Sequence, residues 1–218
     1  MIDLHTHTLF SDGELLPSEL VRRAEITGYK VIALTDHADS SNIDFIIPRI
    51  VKVCKVLNKS WEIFAIPGVE ITHAPLKEIK PLVKFARKNG AKIVIVHGET
   101  VSEPVIPGTN RCAIEARCDI LAHPGFIKKA DVVLAKKLGV SLELTARKSH
   151  SKPNKHVLKL AMEIGAKMVL DTDSHSPENL ISDVQADAIL KGLGLHNSDI
   201  NNIYNNSLRL AKRAGYPG

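Results

Sequence analysis

Short apolar runs recur along the chain at intervals that suit strands: Ile2 to Leu4, Val31 to Leu34, Ile63 to Ile66 with Val69 and Ile71, Ile93 to Val96, Ile120 to Ala122, Val140 to Leu144 and Met168 to Leu170. Each is nearly continuous in hydrophobicity rather than alternating, the pattern of parallel strands buried on both faces. Between most of them lie stretches with helical spacing. The segment PSELVRRAEITG starts a helix at Pro17, sets Leu20, Val21 and Ala24 on one face, and stops at Gly28. PLVKFARKNG and KPNKHVLKLAMEIG repeat the design and end at Gly90 and Gly165. About seven βα units in 218 residues predict an α/β protein: a compact barrel smaller than the usual eightfold one, with an open doubly wound sheet as the alternative. No linker-like stretch interrupts the pattern, so residues 1–218 are expected to form one domain.

The carboxyl ends of these runs carry the chemistry. In chain order they present His5 and His7, Asp36 and His37, Glu70, His97, His123, Glu143, and Asp173 with His175. Residues i and i+2 of a strand share a side, so His5 and His7 project together, as do Asp173 and His175. Functional groups of barrel enzymes collect at that rim. A single histidine after a strand is ordinarily a packing residue. Five histidine-bearing strand ends at one mouth, however, would bury imidazoles and carboxylates that all need partners, and divalent cations supply them. Neutral imidazole and carboxylate suit zinc, iron and manganese, and this many donors exceeds what one tetrahedral zinc uses. Glu70 has two oxygens with which to bridge two ions. A pair about 3.5 to 4 Å apart would clamp a substrate oxygen and deprotonate a bridging water, the logic of metal-dependent phosphoester and amide hydrolysis. Redox chemistry is disfavoured, because the sequence has no haem, flavin or iron–sulfur signature.

Composition adds the setting. A chain that is 44% hydrophobic and 24% charged is ordinary for a cytosolic globular protein. No apolar run approaches the roughly 18 residues a membrane span requires, and the amino terminus shows neither a basic leader nor a cleavage site. A cytoplasmic protein without membrane attachment is therefore expected. The net charge of +5 is spread over pairs such as Arg22 and Arg23, Lys128 and Lys129, Lys136 and Lys137, and Lys212 and Arg213. Most fall near helix ends and turns, which reads as a solvated surface more than a nucleic-acid groove. Aromatic residues make up only 4% and form no stacking stripe, so nucleic acid is a conceivable but not the favoured partner. Cys54, Cys112 and Cys118 are an odd set without CxxC spacing and are expected to be small buried residues. No pattern fixes the oligomeric state.

Taken together, DLHTHTLFSDG, ALTDH, PGVEIT, IVHGE, LAHPG and DTDSH, in this order and spacing, resemble the PHP family, named for polymerase and histidinol phosphatase. The resemblance runs from about residue 2 to residue 177, and VIVHGETVSEPVIPGTN is similar to archaeal-type stand-alone histidinol phosphate phosphatase domain proteins. It implies a distorted (β/α)7 TIM-like barrel, the PHP fold, with a trinuclear metal centre at the carboxyl ends of the strands, usually acting on phosphoesters. Carried over by position, it puts His5, His7, Glu70 and Asp173 around one ion, and Glu70, His97 and His123 around a second. Asp12, His37 and His175 would hold the third, although the SDG around Asp12 also reads as a plain turn. Asp36 is expected to orient a neighbour or cap a helix more than to ligate. Two to three divalent ions are implied, and the donors accept Zn, Mn or Fe alike.

The reaction such a centre implies is in-line attack on phosphorus by a metal-bridging hydroxide, with the ions neutralising the non-bridging oxygens and the leaving alkoxide. Glu70, Asp173 and His175 are the residues expected to serve it most directly. Arg111, Arg147 and Lys148 lie just beyond strand ends or the PGTN turn, where they either grip a phosphate or stand as solvated loop charges. PGTN opens a helix, as an anion cradle or as a simple capping turn. His73, His156 and His196 read as surface or packing residues, and so does His150, the one among them with a claim to substrate contact. The expected activity is hydrolysis of small phosphomonoesters, in the manner of histidinol phosphatase, with a small phosphorylated metabolite as partner. The alternative is a phosphodiesterase or 3'-5' exonuclease of the polymerase-associated type. Further back stand an amidohydrolase, whose pattern fits the TDH and the glutamate less well, and a non-catalytic scaffold, a class that typically lacks several ligands where none is missing here.

Overall fold

In the computed structural model, which describes residues 1–218, each apolar run becomes a strand. These are β1 (Ile2–Asp3), β2 (Val31–Leu34), β4 (Phe64–Ile71), β5 (Ile93–His97), β6 (Ile120–Ala122), β7 (Ser141–Thr145) and β8 (Met168–Asp171). A two-residue strand, β3 (His37–Ala38), resumes the path of β2 after Thr35 and Asp36, and β4 is long enough to pair with both. All pairings are parallel, and the spatial order β1-β2-β4-β5-β6-β7-β8 follows the chain. A doubly wound sheet reverses its order at a switch point. None occurs here, so the seven-stranded sheet curls toward closure as a TIM-like barrel and the open-sheet alternative falls.

The seam between β8 and β1 is closed without a regular ladder. Thr6 and Ser174 form a lone parallel bridge, with the His7 N–H donating to the Ser174 carbonyl at 2.8 Å. Two buried aspartates replace the missing ladder partners: the Leu4 N–H donates to Asp171 Oδ1 at 2.7 Å, and Thr172 Oγ1 donates to Asp3 Oδ2 at 2.6 Å. Burial pushes Asp3 up to about 6 and Asp171 well above the usual carboxylate range.

Helices α1 (Pro17–Thr27), α2 (Ile43–Leu57), α3 (Leu76–Lys88), α4 (Thr109–Glu115), α5 (Lys129–Leu138) and α6 (Asn154–Ile164) make the crossovers, and α7 (Asp183–Gly192) and α8 (Asn197–Arg213) follow β8. The predicted punctuation holds for α1, which starts at Pro17 and stops at a left-handed Gly28, and for α6, which stops at a left-handed Gly165. The structure starts α3 at Leu76 rather than Pro81. Its buried face of Ile79, Leu82, Val83 and Ala86 runs through the proline, and packing of that face outweighs the hydrogen bond proline forfeits.

Two cores result. A cluster of 47 buried residues fills the layer between strands and helices. A second, of 12, fills the barrel with Leu4, Val31, Ala33, Ile66, Ile93, Ile95, Ile120, Ala122 and Val169, and Leu210, Ala211 and Ala214 from the end of α8 plug it. Strand alternation carries this inward row on to the rim: Ile93 and Ile95 lead to His97, Ile66 to Glu70, Val169 to Asp173. Cys54 and Cys118 are buried as expected, whereas Cys112, on the short α4, is only half-buried. No helix is long and apolar enough to cross a membrane.

Ile66 is 0% exposed inside the barrel. Replacing it by alanine should cost about 2–5 kcal/mol of stability, read as a lowered denaturation midpoint with an unchanged slope. An unaltered midpoint would contradict a packed interior.

Candidate metal centre

Above the inner core, the strand ends and the loop after β1 bring all nine candidate donors together in three neighbouring groups: His5, His7 and Asp173; Glu70, His97 and His123; and His7, Asp12, His37 and His175. In the first, His5 Nε2 lies 3.2 Å from Glu70 Oε2, and His7 Nε2 lies 3.1 Å from Asp173 Oδ1. Glu70 joins this group to the second, its other oxygen lying 3.7 Å from His123 Nε2. In the third, Asp12 Oδ1 is 3.2 Å from His175 Nε2, 3.6 Å from His37 Nε2 and 3.9 Å from His7 Nδ1. Asp12 reaches this position because the loop after β1 folds back tightly at Gly13, where a Cβ would lie 2.4 Å from the His7 carbonyl oxygen.

Second partners fix how the imidazoles face. His5 Nδ1 lies 2.6 Å from Glu143 Oε1, His97 Nδ1 3.1 Å from the Gly98 carbonyl, His37 Nδ1 2.6 Å from Thr72 Oγ1 and His175 Nδ1 2.9 Å from the Asp173 carbonyl. For His5, His97 and His175 the contact occupies Nδ1 and turns Nε2 to the cluster, the arrangement that orients metal-binding histidines, whereas His37 Nδ1 also lies 2.8 Å from Glu70 Oε2. Glu143 also accepts the His123 N–H at 2.8 Å with its other oxygen, so one buried carboxylate steadies two donors. Asp36 accepts from the Thr8 N–H at 2.7 Å and from Ser11 Oγ at 2.8 Å, which makes it the anchor of the Asp12 loop and not a donor to the cluster. His123 and Asp173 both hold left-handed backbone, at φ 24° and 52°. Such strain costs about 1–3 kcal/mol per residue and collects at functional sites.

The electrostatics are those of a donor set held apart from water. Burial and the adjacent imidazoles of His37 and His5 push His7 well below its ordinary range, and burial with His97 does the same to His123. Both shifts favour the neutral ring, the form that binds metal. Burial opposes charge on Glu70, but His5 and His37 outweigh it and hold the carboxyl well below the usual range. Burial pushes Asp173 up to about 6 against the pull of His5. No protein group completes the set: His5 Nε2, both nitrogens of His7, both oxygens of Glu70, His123 Nδ1 and Asp173 Oδ1 are buried without a hydrogen-bond partner. Divalent cations fit this place, because they take lone pairs from imidazole and carboxylate at once.

Around the cluster the expected phosphate contacts part company. Arg147 donates from Nη1 to the Asp173 carbonyl at 2.9 Å, touches His175 Nδ1 and sets Nε 3.6 Å from Asp173 Oδ2. Lys148 lines an adjoining cavity of about 770 Å³ with Arg147, Gln185 and Ile189. Arg111 instead pairs with Asp131 of α5 at 2.6 Å and makes no polar contact with the cluster. The PGTN turn offers no free amides, because the Gly108 and Asn110 N–H groups both donate to Glu99 Oε1, at 3.0 and 2.9 Å. His156 packs by its bond to the Ile127 carbonyl and His196 is exposed, as expected. His150 is neither surface nor remote: it is buried and stacks on His123 with centroids 4.3 Å apart. Glu103, which the sequence did not single out, stands 3.2 Å from His97 Nε2, and its hydrogen bonding to His97 holds its carboxyl down to about 2.

A PHP domain family model matches residues 3–182, and the chain belongs to that family. An uncharacterized protein of Methanocaldococcus jannaschii is 47% identical over 202 residues, covering 92% of this chain and 93% of the relative. Ribonuclease P protein component 3 of Methanosarcina barkeri is 31% identical over 204 residues, covering 86% and 79%. Among solved structures, archaeal ribonuclease P with mature tRNA contains a chain that matches with a TM-score of 0.75 at 19% identity, covering 98% of this chain and 91% of that one; this likeness is one of fold.

Glu143→Gln leaves the rim intact while weakening the hold on His5. Affinity for manganese or zinc, measured by chelator competition, should fall about 10–100-fold with the circular dichroism spectrum unchanged. Undiminished affinity would remove Glu143 from the support of the centre.

Proposed function

We propose that this PHP-domain protein is a metal-dependent hydrolase of small phosphomonoesters. The observation that carries the reading is a complete set of converging donors whose buried atoms have no partner within the protein. His5, His7, Glu70 and Asp173 would hold one cation, Glu70, His97 and His123 a second, and Asp12, His37 and His175 a third. Bound there, two to three zinc, manganese or iron ions would supply Lewis acidity toward a phosphoryl group and a nucleophilic water at neutral pH.

The chain's own residues then bind and orient. His5, His7, Glu70, His97, His123 and Asp173 are shut from solvent, whereas Asp12 is 57% exposed and His37 25%. A substrate therefore enters from the Asp12–His37 side and meets a water-excluded floor, where fixed charges act strongly. Arg147 is tied to the segment after β8 through Nη1, which meets the Asp173 carbonyl and His175, and through Nε, which faces Ser149 and Asp173, and this leaves Nη2 for a phosphoryl oxygen. Asp173 Oδ2 faces His123 at 3.9 Å and Arg147 Nε at 3.6 Å, a carboxylate oxygen placed to accept a proton. The cavity beside Arg147 and Lys148 is large enough to take the organic part of a small ester.

One observation favours a second reading. The ribonuclease P relative covers most of this chain, and the protein carries a net charge of +5, so RNA association is the rival. Manganese- or zinc-loaded protein should release phosphate from a panel of monoesters that includes histidinol phosphate and p-nitrophenyl phosphate. His7→Ala and Glu70→Ala should each reduce that rate by more than the roughly 10–100-fold that follows loss of an outer partner, with the fold retained. Labelled oligonucleotides and a structured RNA run beside the panel: trimmed ends would favour a phosphodiesterase, and RNA binding without turnover would favour RNA association. No phosphate release from any monoester, with metal bound, would refute the proposal.

A further inference from the structure

The loop between β5 and α4 folds over the His97 and His123 side of the centre and delivers one carboxylate to it. Glu103 Oε2 lies 3.0 Å from His73 Nε2 and 3.2 Å from His97 Nε2, and Oε1 lies 3.5 Å from His150 Nε2. The three imidazoles come from three separate places: the turn after β4, the end of β5 and the loop after β7. His150 is aimed by its own loop contact, its Nδ1 lying 2.7 Å from Thr100 Oγ1 and 2.8 Å from Ser102 Oγ. With a hydroxyl donating to Nδ1, the proton of the neutral ring sits on Nε2 and points at the carboxylate. His73 is turned to the same carboxylate from a left-handed backbone, φ 50°, an unusual conformation for a side chain of this size.

His73, His97 and Glu103 by themselves have the spacing of a cation site. Chemistry excludes it as an independent one. His97 Nδ1 is engaged by the Gly98 carbonyl, so Nε2 is the only nitrogen His97 can lend, and one lone pair serves one cation. The same Nε2 is needed beside Glu70 and His123. Glu103 thus stands on the flank of the second candidate cation position, where a catalytic site must keep a place for substrate. It has a phosphoryl group's negative charge and hydrogen-bond acceptors, and it is surrounded as such a group would be.

We propose that Glu103 is an internal stand-in for the substrate's phosphoryl group, displaced by a phosphate that takes over the N–H donors of His73 and His150. The inference rests on the phosphoester reading of the centre. Beyond the three imidazoles, little holds the loop that carries the carboxylate. The Glu103 side chain is 36% exposed, and between Val101 and Pro107 the backbone makes two bonds to other backbone groups: Val105 N–H to the Glu103 carbonyl and the Ile106 carbonyl from Thr109. Val101 and Ile106 are 46% and 50% exposed. Segments with so few buried contacts open locally at low cost. Displacement would also free the His97 flank at the moment a phosphate arrives, which couples access to occupancy.

The test uses the full chain loaded with manganese, inorganic phosphate as the probe, calorimetry for affinity and elemental analysis for metal content. Where the closed arrangement makes up about 90% of the free protein, removing it tightens binding about tenfold. Glu103→Ala and Glu103→Gln should both tighten phosphate binding to that order and keep their metal. Adding His73→Ala to Glu103→Ala should weaken phosphate binding again. Unchanged or weaker binding in both single variants would overturn the inference, and so would loss of metal from Glu103→Ala, which would make Glu103 a permanent ligand. Turnover is not part of the readout, so an absence of monoester hydrolysis would count against the proposed reaction alone.

Discussion

The constraint on which the structure turns is the cost of burying polar atoms that the protein leaves unpaired. Seven nitrogen and oxygen atoms of His5, His7, Glu70, His123 and Asp173 meet at the rim of the barrel without a hydrogen-bond partner. At about 1–3 kcal/mol for each unsatisfied group, such a set is comparable with the entire stability of a domain, about 5–15 kcal/mol. Rearrangement could relieve it, for these side chains are able to rotate toward water or toward one another. The surroundings forbid that: Glu143 pins His5 and the backbone of His123, Gly98 holds His97, and the packed β-strands fix Glu70. A fold that spends stability to keep donors apart and convergent makes sense only where something else completes them.

The barrel makes that concession affordable by separating two tasks. Stability comes from the broad layer between strands and helices and from the small inner core that α8 plugs at the amino-terminal end. The other end is free to be polar. Backbone irregularity gathers there as well: the left-handed residues His73, His123 and Asp173, the break between β2 and β3 at Thr35 and Asp36, and the aspartate-mended seam all lie at or near the rim, with Arg117, before β6, the exception at the other end. Regular geometry would have sent some of the donors elsewhere. Leu4 and Ala122 point into the barrel, so strict alternation would turn their immediate successors, His5 and His123, outward. The positive φ at His123 corrects the direction at one site, and at the other the aspartate-bonded seam replaces the ladder that would have enforced alternation.

This explains what could be read from the sequence and what could not. Apolar runs buried on both faces reveal strands, and residues just after a run must lie near its end, so eight of the nine converging residues and the chain-ordered barrel were legible, whereas Asp12, far along the loop after β1, was indicated only by the resemblance. Pro17, Gly28 and Gly165 marked helix ends because their backbone preferences act locally. Loop residues obey no such rule. Glu103 and His150 reach the centre through the paths of loops 98–108 and 146–153, which no periodicity encodes, and Arg111 is drawn to Asp131 on a neighbouring helix by a pairing equally invisible in one dimension. The last two helices were missed for a different reason. In α8 the buried stripe of Ile200, Ile203, Ser207 and Leu210 is diluted by asparagines, so its pattern is faint until the barrel supplies the surface it covers.

The choice between catalysis and RNA association bears on where the molecule keeps its charge. Part of the basic surface is already engaged by neighbours: Arg22 with Glu25, Arg23 with Glu19, Lys129 with Glu163, Arg213 with Asp119, and Lys136 with the Ile164 carbonyl. Exposed pairs of this kind contribute little to stability, but they mute the positive potential that a phosphate backbone would feel. The rim presents the opposite arrangement. Its nitrogens and oxygens are held in place with their mutual contacts incomplete, and Arg147 stands at its edge with one N–H committed to the backbone just after β8. Affinity for a long polyanion grows with many loosely placed cations, whereas work on one phosphoryl group needs a few donors fixed in advance. By that criterion the organisation of this chain favours chemistry at a point over attachment along a surface.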